Sequence, residues 1–321
     1  MGFTDHISAT DTAPFIPTEQ SMEIIKTAKA ASVALQLGKR LPNLPRKTRT
    51  LKVEDSLANV YMVNGPSGAN APGLKQTSDL GWRDVVLTAE ELAVIVPISQ
   101  EQLDDTMVPI WPEVREQIAA KMAAAIDEAM IGGTIAGVPV FASWPTGGMI
   151  AHATAAGNTA ALDDFADFYD ALLSTGGVFN LMEMDGYTPD GVISTATVRS
   201  TMRGARDANG QPIFNRVPGS GMTYELDGVP CLFPANGSYP AGSILLAVQR
   251  NQIVYAMRQD LTYTLATEGV ITDGAGNVVI NLFQQDMVAL RAVLRFGFAI
   301  PNPVNLMQPT TGSRSPFSVL T

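Results

Sequence analysis

The chain has 321 residues, 46% of them apolar and 16% charged, so it can bury a sizeable core, and a globally disordered protein is excluded. Its 21 basic and 31 acidic residues give a formal charge of −10, and an acidic chain lacks the basic surface expected of a duplex-DNA-binding protein. No apolar run reaches the length of a membrane span, and a single cysteine, Cys231, permits no internal disulfide.

The first elements of the chain are a predicted helix and a basic segment. Residues 18–38 predict a helix that Thr18 can cap and that Gly38 ends. Residues 39–52 contain no acid and hold six basic residues, Lys39, Arg40, Arg46, Lys47, Arg49 and Lys52. One interpretation is a solvated face, and a second, nucleic-acid contact, is disfavoured because no aromatic residues are interleaved. The third is pairing with acids on another copy of the chain, and the candidates are Glu90, Glu91, Glu101, Asp104 and Asp105.

The stretch WRDVVLTAEELAVIVPISQEQLDD, residues 82–105, carries two conflicting patterns. Thr88 and Glu91 match a capping box, which starts a helix. The apolar residues that follow alternate with a period of two, and Pro97 is incompatible with an ordinary helix interior. Local patterns alone therefore leave helix and strand both open here.

A hairpin and a long helix are predicted on either side of this stretch. Residues 64–79 are nearly all turn formers and follow a strand-like segment at 51–63, so the segments that flank this loop predict a long β-hairpin. Residues 109–133 predict the strongest helix of the chain, which would span roughly 30 Å. Its apolar stripe is formed by Trp111, Val114, Ile118, Met122, Ile126 and Met130.

The second half of the chain is predicted as two short helices followed mostly by strands. One helix, over 163–175, is capped by Asp163, and another starts near Thr195. Strand patterns dominate from residue 224 onwards, and the last strand, 286–301, has an apolar face at its even positions. Because helices and strands do not alternate regularly, an α+β fold is expected.

The residue types needed for catalysis or metal binding are scarce. The only histidines, His6 and His152, have no ligand-type neighbour, are interpreted as loop residues and predict no metal site. A Ser-His-Asp triad is disfavoured because no G-x-S-x-G elbow is present. Cys231 is expected to be a small buried side chain, and residues 273–277 to form a hairpin turn rather than a calcium loop. No enzymatic activity, cofactor or metal is therefore predicted.

Three segments, in their order and spacing, resemble the major capsid proteins of tailed bacteriophages, which have the Hong Kong 97-type fold. LTAEELAVIVPISQEQLDD resembles the strand that returns from the family's extended loop. IWPEVREQIAAKMAAAIDEAMIGG resembles its spine helix, and FQQDMVALRAVLRFGFAIPNP resembles its final strand. The resemblance covers roughly residues 17–307 and favours strand for the stretch with two conflicting patterns.

The resemblance implies a molecule of four parts. They are an N-terminal arm (1–40), an extended β-hairpin loop (41–98), a peripheral domain with the spine helix and a β-sheet (99–158 and 259–321), and an axial domain (159–258). Because the family's extended loop lies on a neighbouring subunit, an intersubunit role is expected for Lys47, Arg49, Lys75, Trp82, Glu90, Glu91 and Glu101. Some members cross-link a loop lysine covalently, but no partner for Lys75 is identifiable, and no cross-link is predicted.

The function that the resemblance implies is that of a major capsid protein. Such a protein self-assembles as hexamers and pentamers into an icosahedral phage head around double-stranded DNA. An acidic lining fits this role, because tight phosphate binding would hinder packaging and ejection. The arm has no room for a cleavable scaffolding segment, so either a separate scaffolding protein assists assembly or none is needed.

The resemblance also implies partners and a location. A portal and a decoration protein are further candidate partners, without sequence-specific DNA binding or a membrane. The expected location is the virion capsid, assembled in the host cytoplasm. Two alternatives stay open: an encapsulin-type cellular compartment with the same fold, and a hydrolase with an unrecognised site.

Overall fold

The structure, a computed structural model, describes residues 32–60, 77–106, 109–206 and 224–321. Its helices are α1 Val33–Leu37, α2 Gln100–Asp105, α3 Ile110–Gly132, α4 Gly148–Ala156, α5 Phe168–Leu173, α6 Val178–Met184 and α7 Val198–Gly204. Its strands are β1 Lys39–Arg40, β2 Thr48–Ser56, β3 Gly81–Thr88, β4 Glu90–Ser99, β5 Thr134–Ile135, β6 Val138–Pro139, β7 Thr159–Ala160, β8 Gly191–Ser194, β9 Tyr224–Leu226, β10 Val229–Leu232, β11 Leu245–Val248, β12 Val254–Ala266, β13 Val270–Thr272, β14 Val278–Asn281, β15 Met287–Ala299 and β16 Phe317–Leu320. This mixture is the predicted α+β class, and within the described ranges no helix is long and apolar enough to cross a bilayer.

A four-stranded sheet, in the order β1-β12-β15-β4, forms the centre of one packed unit. β15 runs antiparallel to both of its neighbours, and its even-numbered residues from Val288 to Phe298 are buried, as predicted. From Leu290 onwards, these residues share one hydrophobic core with the stripe of α3, whose buried members are Val114, Ile118, Met122, Ile126 and Met130. Trp111, which was predicted on the same stripe, is only partly buried.

The stretch with two conflicting patterns forms strands, so the helix start at Thr88 is wrong. β3 ends at Thr88 and β4 begins at Glu90, with the intervening Ala89 donating its N–H to the Lys47 carbonyl at 2.8 Å. β4 then pairs with β15 along its whole length, and this tertiary pairing outweighs a local cap, which contributes only about 1 kcal/mol. Pro97 is tolerated because β4 is an edge strand, where a missing N–H breaks no ladder.

A six-stranded sheet, in the order β7-β16-β11-β8-β10-β9, forms the centre of the second unit. Helices α5, α6 and α7 contribute to its core, which contains Phe168, Leu172, Met182, Met202 and Leu245. α4 and α6 both contact β16, which is buried along its whole length. The final strand of the chain therefore lies inside the second unit, not beside β15.

The predicted hairpin is formed by β2 and β3, whose antiparallel register runs from Thr48 opposite Thr88 to Ser56 opposite Gly81. Of its turn-rich loop, predicted over 64–79, residues 64–76 lie outside the described residues. The same holds for most of the predicted helix 18–38, of which the structure describes only the last turns, α1, ending at Gly38 as expected.

Three local predictions need correction. The helix predicted over 163–175 is a 3₁₀ turn at Leu162–Asp164 followed by α5. Asp167, not Asp163, caps α5, because its carboxylate accepts from the N–H groups of Tyr169 and Asp170 at 2.8 and 3.0 Å. His152, interpreted from sequence as a loop residue, lies in α4.

Candidate assembly surface

The hairpin of β2 and β3 presents two different faces. Along β3, Arg83, Val85 and Leu87 point to the body of the molecule, while Trp82 and Val86 are 65% and 48% exposed. The register places Glu54, Lys52 and Thr50 of β2 on this same outward side. The outward face thus combines two exposed apolar side chains with charged ones, a composition that suits contact with another molecule.

The end of the described hairpin that lies nearest the tip is fixed to the body by hydrogen bonds. Arg83 Nη2 donates to the carbonyls of Pro301 and Asn302 at 2.6 and 2.8 Å, and its Nε lies 3.3 Å from Asp55 Oδ1. The Val304 N–H donates to the Glu54 carbonyl at 3.0 Å. The described part of the hairpin is therefore held in a defined position on the body.

Close packing also holds the end of β3 on the four-stranded sheet. The Thr88 carbonyl accepts from Trp144 Nε1 at 2.9 Å and lies directly over Gly297 of β15. A Cβ at Gly297 would come within 2.3 Å of that carbonyl oxygen, so only glycine permits this approach.

Lys47 and Glu90, two of the predicted intersubunit residues, meet inside one chain. Lys47 Nζ lies 3.0 Å from Glu90 Oε2, and Ser143 Oγ donates to Glu90 Oε1 at 2.8 Å. Burial raises the pKa of Glu90, but the hydrogen bonds from Ser143 and Lys47 and the Lys47 charge outweigh it, so the pKa lies below its ordinary value. Glu90 thus has an intrachain partner, which sequence reasoning had sought on another copy.

Glu91 also pairs within its own chain. It faces Arg295 across β4 and β15, and Arg295 Nε and Nη2 donate to its Oε2 at 2.9 and 2.7 Å. Both side chains are more than a third exposed, so this pair contributes little to the stability of the subunit.

The other predicted site residues are dispersed. Arg49 and Trp82 lie on the exposed hairpin, Glu101 lies in the exposed first turn of α2, and Lys75 lies outside the described residues. Lys52 is also paired internally, with Asp84 across the hairpin. Within the basic segment 39–52, the residues without a salt bridge to any described acid are Lys39, Arg40, Arg46 and Arg49, which we call the basic platform.

An apolar groove runs beside the edge strand β4. It has a volume of about 490 Å³ and lies between β4 and α3. Leu92 and Val96 of β4 and Ile118 and Met122 of α3 line it, with Lys121 among the few polar residues. The edge strand and the groove together are a surface to which an extended segment can add.

One buried carboxylate, Asp127, is a feature that sequence reasoning missed. It lies in α3, is fully buried, and accepts hydrogen bonds from Ser32 Oγ, from the N–H groups of Val33 and Ala34 and from Asn236 Nδ2. The sequence does contain a signal for this residue. Asp127 is an acid within the largely apolar segment AAAIDEAMI, and an acid in such surroundings indicates a buried carboxylate with hydrogen-bond donors.

A Ser, a His and an Asp do meet, but their geometry is not that of a hydrolase. His152 Nδ1 lies 2.9 Å from Ser315 Oγ, while Asp185 Oδ2 accepts from the Ser315 N–H and from Asn158 Nδ2 rather than from the imidazole. Ser315 is fully buried, so substrate cannot reach its hydroxyl. Burial, followed by the Arg83 charge, lowers the pKa of His152.

Cys231 and the segment 273–277 have the structures expected from sequence. Burial raises the pKa of the Cys231 thiol to about 12, which makes it unreactive. The segment 273–277 turns between β13 and β14, with Asp273 Oδ1 accepting from the N–H groups of Ala275 and Asn277. Across the described part of the chain, no three metal-type side chains cluster.

A model of the phage capsid family matches residues 12–308 of the chain. The chain belongs to the phage capsid family. A major capsid protein of Staphylococcus phage 80alpha is 25% identical over 228 residues, which span 70% of this chain and 65% of that protein. The family resemblance predicted from three segments is therefore confirmed.

Solved structures of phage proteins match this member of the family over its whole length. A chain from Microbacterium phage Oxtober96 is 29% identical, with a TM-score of 0.77 and coverage of 99% of both chains. A chain from Mycobacterium phage Cain is 27% identical, with a TM-score of 0.78 and coverage of 99% of this chain and 98% of that one. The mixed helices and strands described above thus form a phage capsid fold.

Proposed function

We propose that the chain is a major capsid protein that assembles as hexamers and pentamers into an icosahedral phage head enclosing double-stranded DNA. The single observation that carries this proposal is the hairpin of β2 and β3, whose outward face leaves Trp82 and Val86 exposed. The hairpin is attached to the body through Arg83 and through the packing of Thr88 on Gly297. Its outward face therefore has a fixed position in which it can contact a neighbouring subunit. Membership of the phage capsid family supports a neighbour that is another copy of the chain.

Two exposed surfaces of opposite charge can take part in that contact. The basic platform, Lys39, Arg40, Arg46 and Arg49, is exposed. Glu101 and Asp105, in α2, are exposed as well, and α2 lies beyond the far end of β4 from the hairpin. Because Glu90 and Glu91 are paired internally, we propose that α2 rather than the start of β4 supplies the acids that meet the basic platform of the next copy. Such contacts are weak singly and add up over a closed shell.

The four predicted parts are kept as a proposal with three adjustments. The arm is 1–40, the extended loop 41–89, and the axial domain 159–253 with the strand at 317–320. Residues 90–158 and 254–316 make up the peripheral domain. The adjustments follow strand pairing, since β4 and β12 lie in the four-stranded sheet and β16 lies in the six-stranded sheet.

The partners and location are proposed with the function. A separate scaffolding protein, a portal and a decoration protein are the candidate partners, and DNA is enclosed without sequence-specific contacts. The chain would assemble in the host cytoplasm and reside in the virion capsid. The net charge of −10 supports a lining that holds packaged DNA weakly.

The test is expression of the chain alone, followed by size-exclusion chromatography and negative-stain microscopy. A shell protein gives megadalton closed particles, whereas a hydrolase gives monomers or small oligomers. If the chain stays small at every concentration and ionic strength, and also in the presence of the neighbouring phage proteins, the proposal is wrong.

An encapsulin-type compartment is the second candidate, and the groove between β4 and α3 favours it. An apolar groove of about 490 Å³ suits a short cargo peptide. Analysis of particle contents separates the two, because a phage head contains DNA and a compartment contains a co-purifying protein. Substituting Val94, an exposed residue of the groove lining, by Asp should empty a compartment and leave a head filled.

A further inference from the structure

Asp127 is a fully buried carboxylate in the middle of the α3 core. Its Oδ1 accepts from Ser32 Oγ at 2.5 Å and from the Ala34 N–H at 2.9 Å. Its Oδ2 accepts from the Val33 N–H at 3.1 Å and from Asn236 Nδ2 at 2.8 Å. A buried carboxylate needs such donors, because an unsatisfied buried charge is strongly destabilising.

These donors come from two elements that are distant in sequence. Ser32, Val33 and Ala34 belong to the start of α1, where the described part of the N-terminal region begins. Asn236 belongs to the turn between β10 and β11 of the six-stranded sheet, and its Oδ1 accepts from the N–H and Oγ of Ser238. One side chain therefore joins α1, α3 and the second unit.

The first turn of α1 is hydrogen-bonded to this side chain. A helix of five residues is far too short to form by its own hydrogen bonds. Two of its first N–H groups bond to Asp127, and Ser32 Oγ, which donates to the same carboxylate, accepts from the Leu35 N–H. Without Asp127, these groups would be buried without partners.

We propose that Asp127 is the positioning residue of the N-terminal segment, residues 1–31. It fixes the position of Ser32, to which this segment is joined, and links that position to the Asn236 turn. If α1 melts, residues 32–37 become a flexible linker, and the position at which residue 31 joins the body varies within about 13 Å. A contact between this segment and a neighbouring copy would then form less often, because its effective concentration falls.

The first test measures α1 in the isolated subunit by hydrogen exchange and mass spectrometry. In Asp127→Asn, peptides covering Val33–Leu37 should exchange roughly tenfold faster or more, because hydrogen bonds to a charged group are lost. Asp185→Asn is the matched control, since Asp185 is also buried and also accepts from an Asn side chain and a main-chain N–H. It should leave α1 unchanged.

Two further variants keep the test decisive if Asp127→Asn does not fold. Ser32→Ala removes two of the hydrogen bonds and should also accelerate exchange in α1. Asn236→Ala should accelerate it by a smaller factor, through the shared carboxylate. Wild-type exchange of α1 in Ser32→Ala would overturn the positioning role, and wild-type exchange in Asn236→Ala would overturn the link to the turn.

The second test concerns assembly and rests on the proposed function. Because α1 is freed in them, Ser32→Ala and Asp127→Asn should form particles more slowly, as measured by light scattering. The control Asp185→Asn keeps α1 and should form particles at the wild-type rate when equal amounts of folded subunit are compared. Wild-type assembly rates in a variant with a freed α1 would overturn the role in assembly. If the wild type itself never assembles, the proposed function fails, and the exchange results still decide the role of Asp127.

Discussion

Replacing Lys47 with Glu distinguishes an internal ion pair from an assembly surface. Lys47 Nζ lies 3.0 Å from Glu90 Oε2, and the Glu90 side chain is only 16% exposed. Two like charges about 4 Å apart repel by roughly 4 kcal/mol at an effective dielectric constant of about 20. Because the Lys47 side chain is 58% exposed and solvent screens the pair, we expect a loss of about 1–2 kcal/mol in the free energy of unfolding.

Arg49→Glu is the matched control on the same basic segment. Arg49 is exposed and forms no salt bridge with a described acid, so its reversal should change the free energy of unfolding by about 0.5 kcal/mol or less. If the basic platform meets a neighbouring copy, Arg49→Glu should instead slow particle formation. We therefore expect Lys47→Glu to act on the stability of the subunit and Arg49→Glu to act on assembly.

The assays are urea denaturation of the unassembled subunit and light scattering across a salt series. The double variant Lys47→Glu, Glu90→Lys restores the opposite charges and should recover most of the lost stability. Wild-type unfolding in Lys47→Glu would refute the reasoning about the internal pair. Normal particles from Arg49→Glu at every ionic strength would show that the platform is a solvated face.

Three further predictions concern the body of the subunit. Ile118→Ala should lower the free energy of unfolding by about 2–5 kcal/mol. Trp111→Ala should cost less than the truncation of a fully buried aromatic residue, because Trp111 is only partly buried. Denaturant titration of both variants checks these two expectations. The pKa of His152 is lower in the folded chain than in the unfolded chain, so the unfolded chain binds the proton first as the pH falls. The free energy of unfolding should therefore fall as the pH drops below about 6.5 and level off at the folded pKa. His152→Gln should flatten this slope in urea titrations between pH 7 and 5. Cys231 should stay unreactive to a thiol reagent at pH 8 in the native protein and react at once in urea; fast native labelling would contradict its burial.

Sequence patterns predicted the elements whose period is long and regular. The stripe of α3 and the even-numbered face of β15 could be read directly, because each repeats over more than ten residues. The short helices α4 and α6 and the strands β8 and β16 were missed, because a buried run of four to nine residues has no distinguishing period. Their type is decided by the sheet and helices that they pack against.

The charged residues could be found from sequence, but their partners could not. The basic run and the acids Glu90 and Glu91 were identified, yet strand register alone places Glu91 opposite Arg295 and brings Lys47 to Glu90. Asp127 was missed for the same reason, since its donors lie about a hundred residues away on both sides. Local patterns carry no information on such pairings.

The long separation between β4 and β15 has a consequence for synthesis. Ser99 pairs with Met287, so at about 5–20 residues per second a ribosome needs roughly 10–40 s to make the intervening chain. During that interval the apolar side of β4, including Leu92 and Ile98, has no strand to cover it, and nascent chains on neighbouring ribosomes can pair through it instead. Soluble yield should therefore rise when translation is initiated less often or at lower temperature, and the order in which the two strands are translated should limit how quickly a cell can supply subunits.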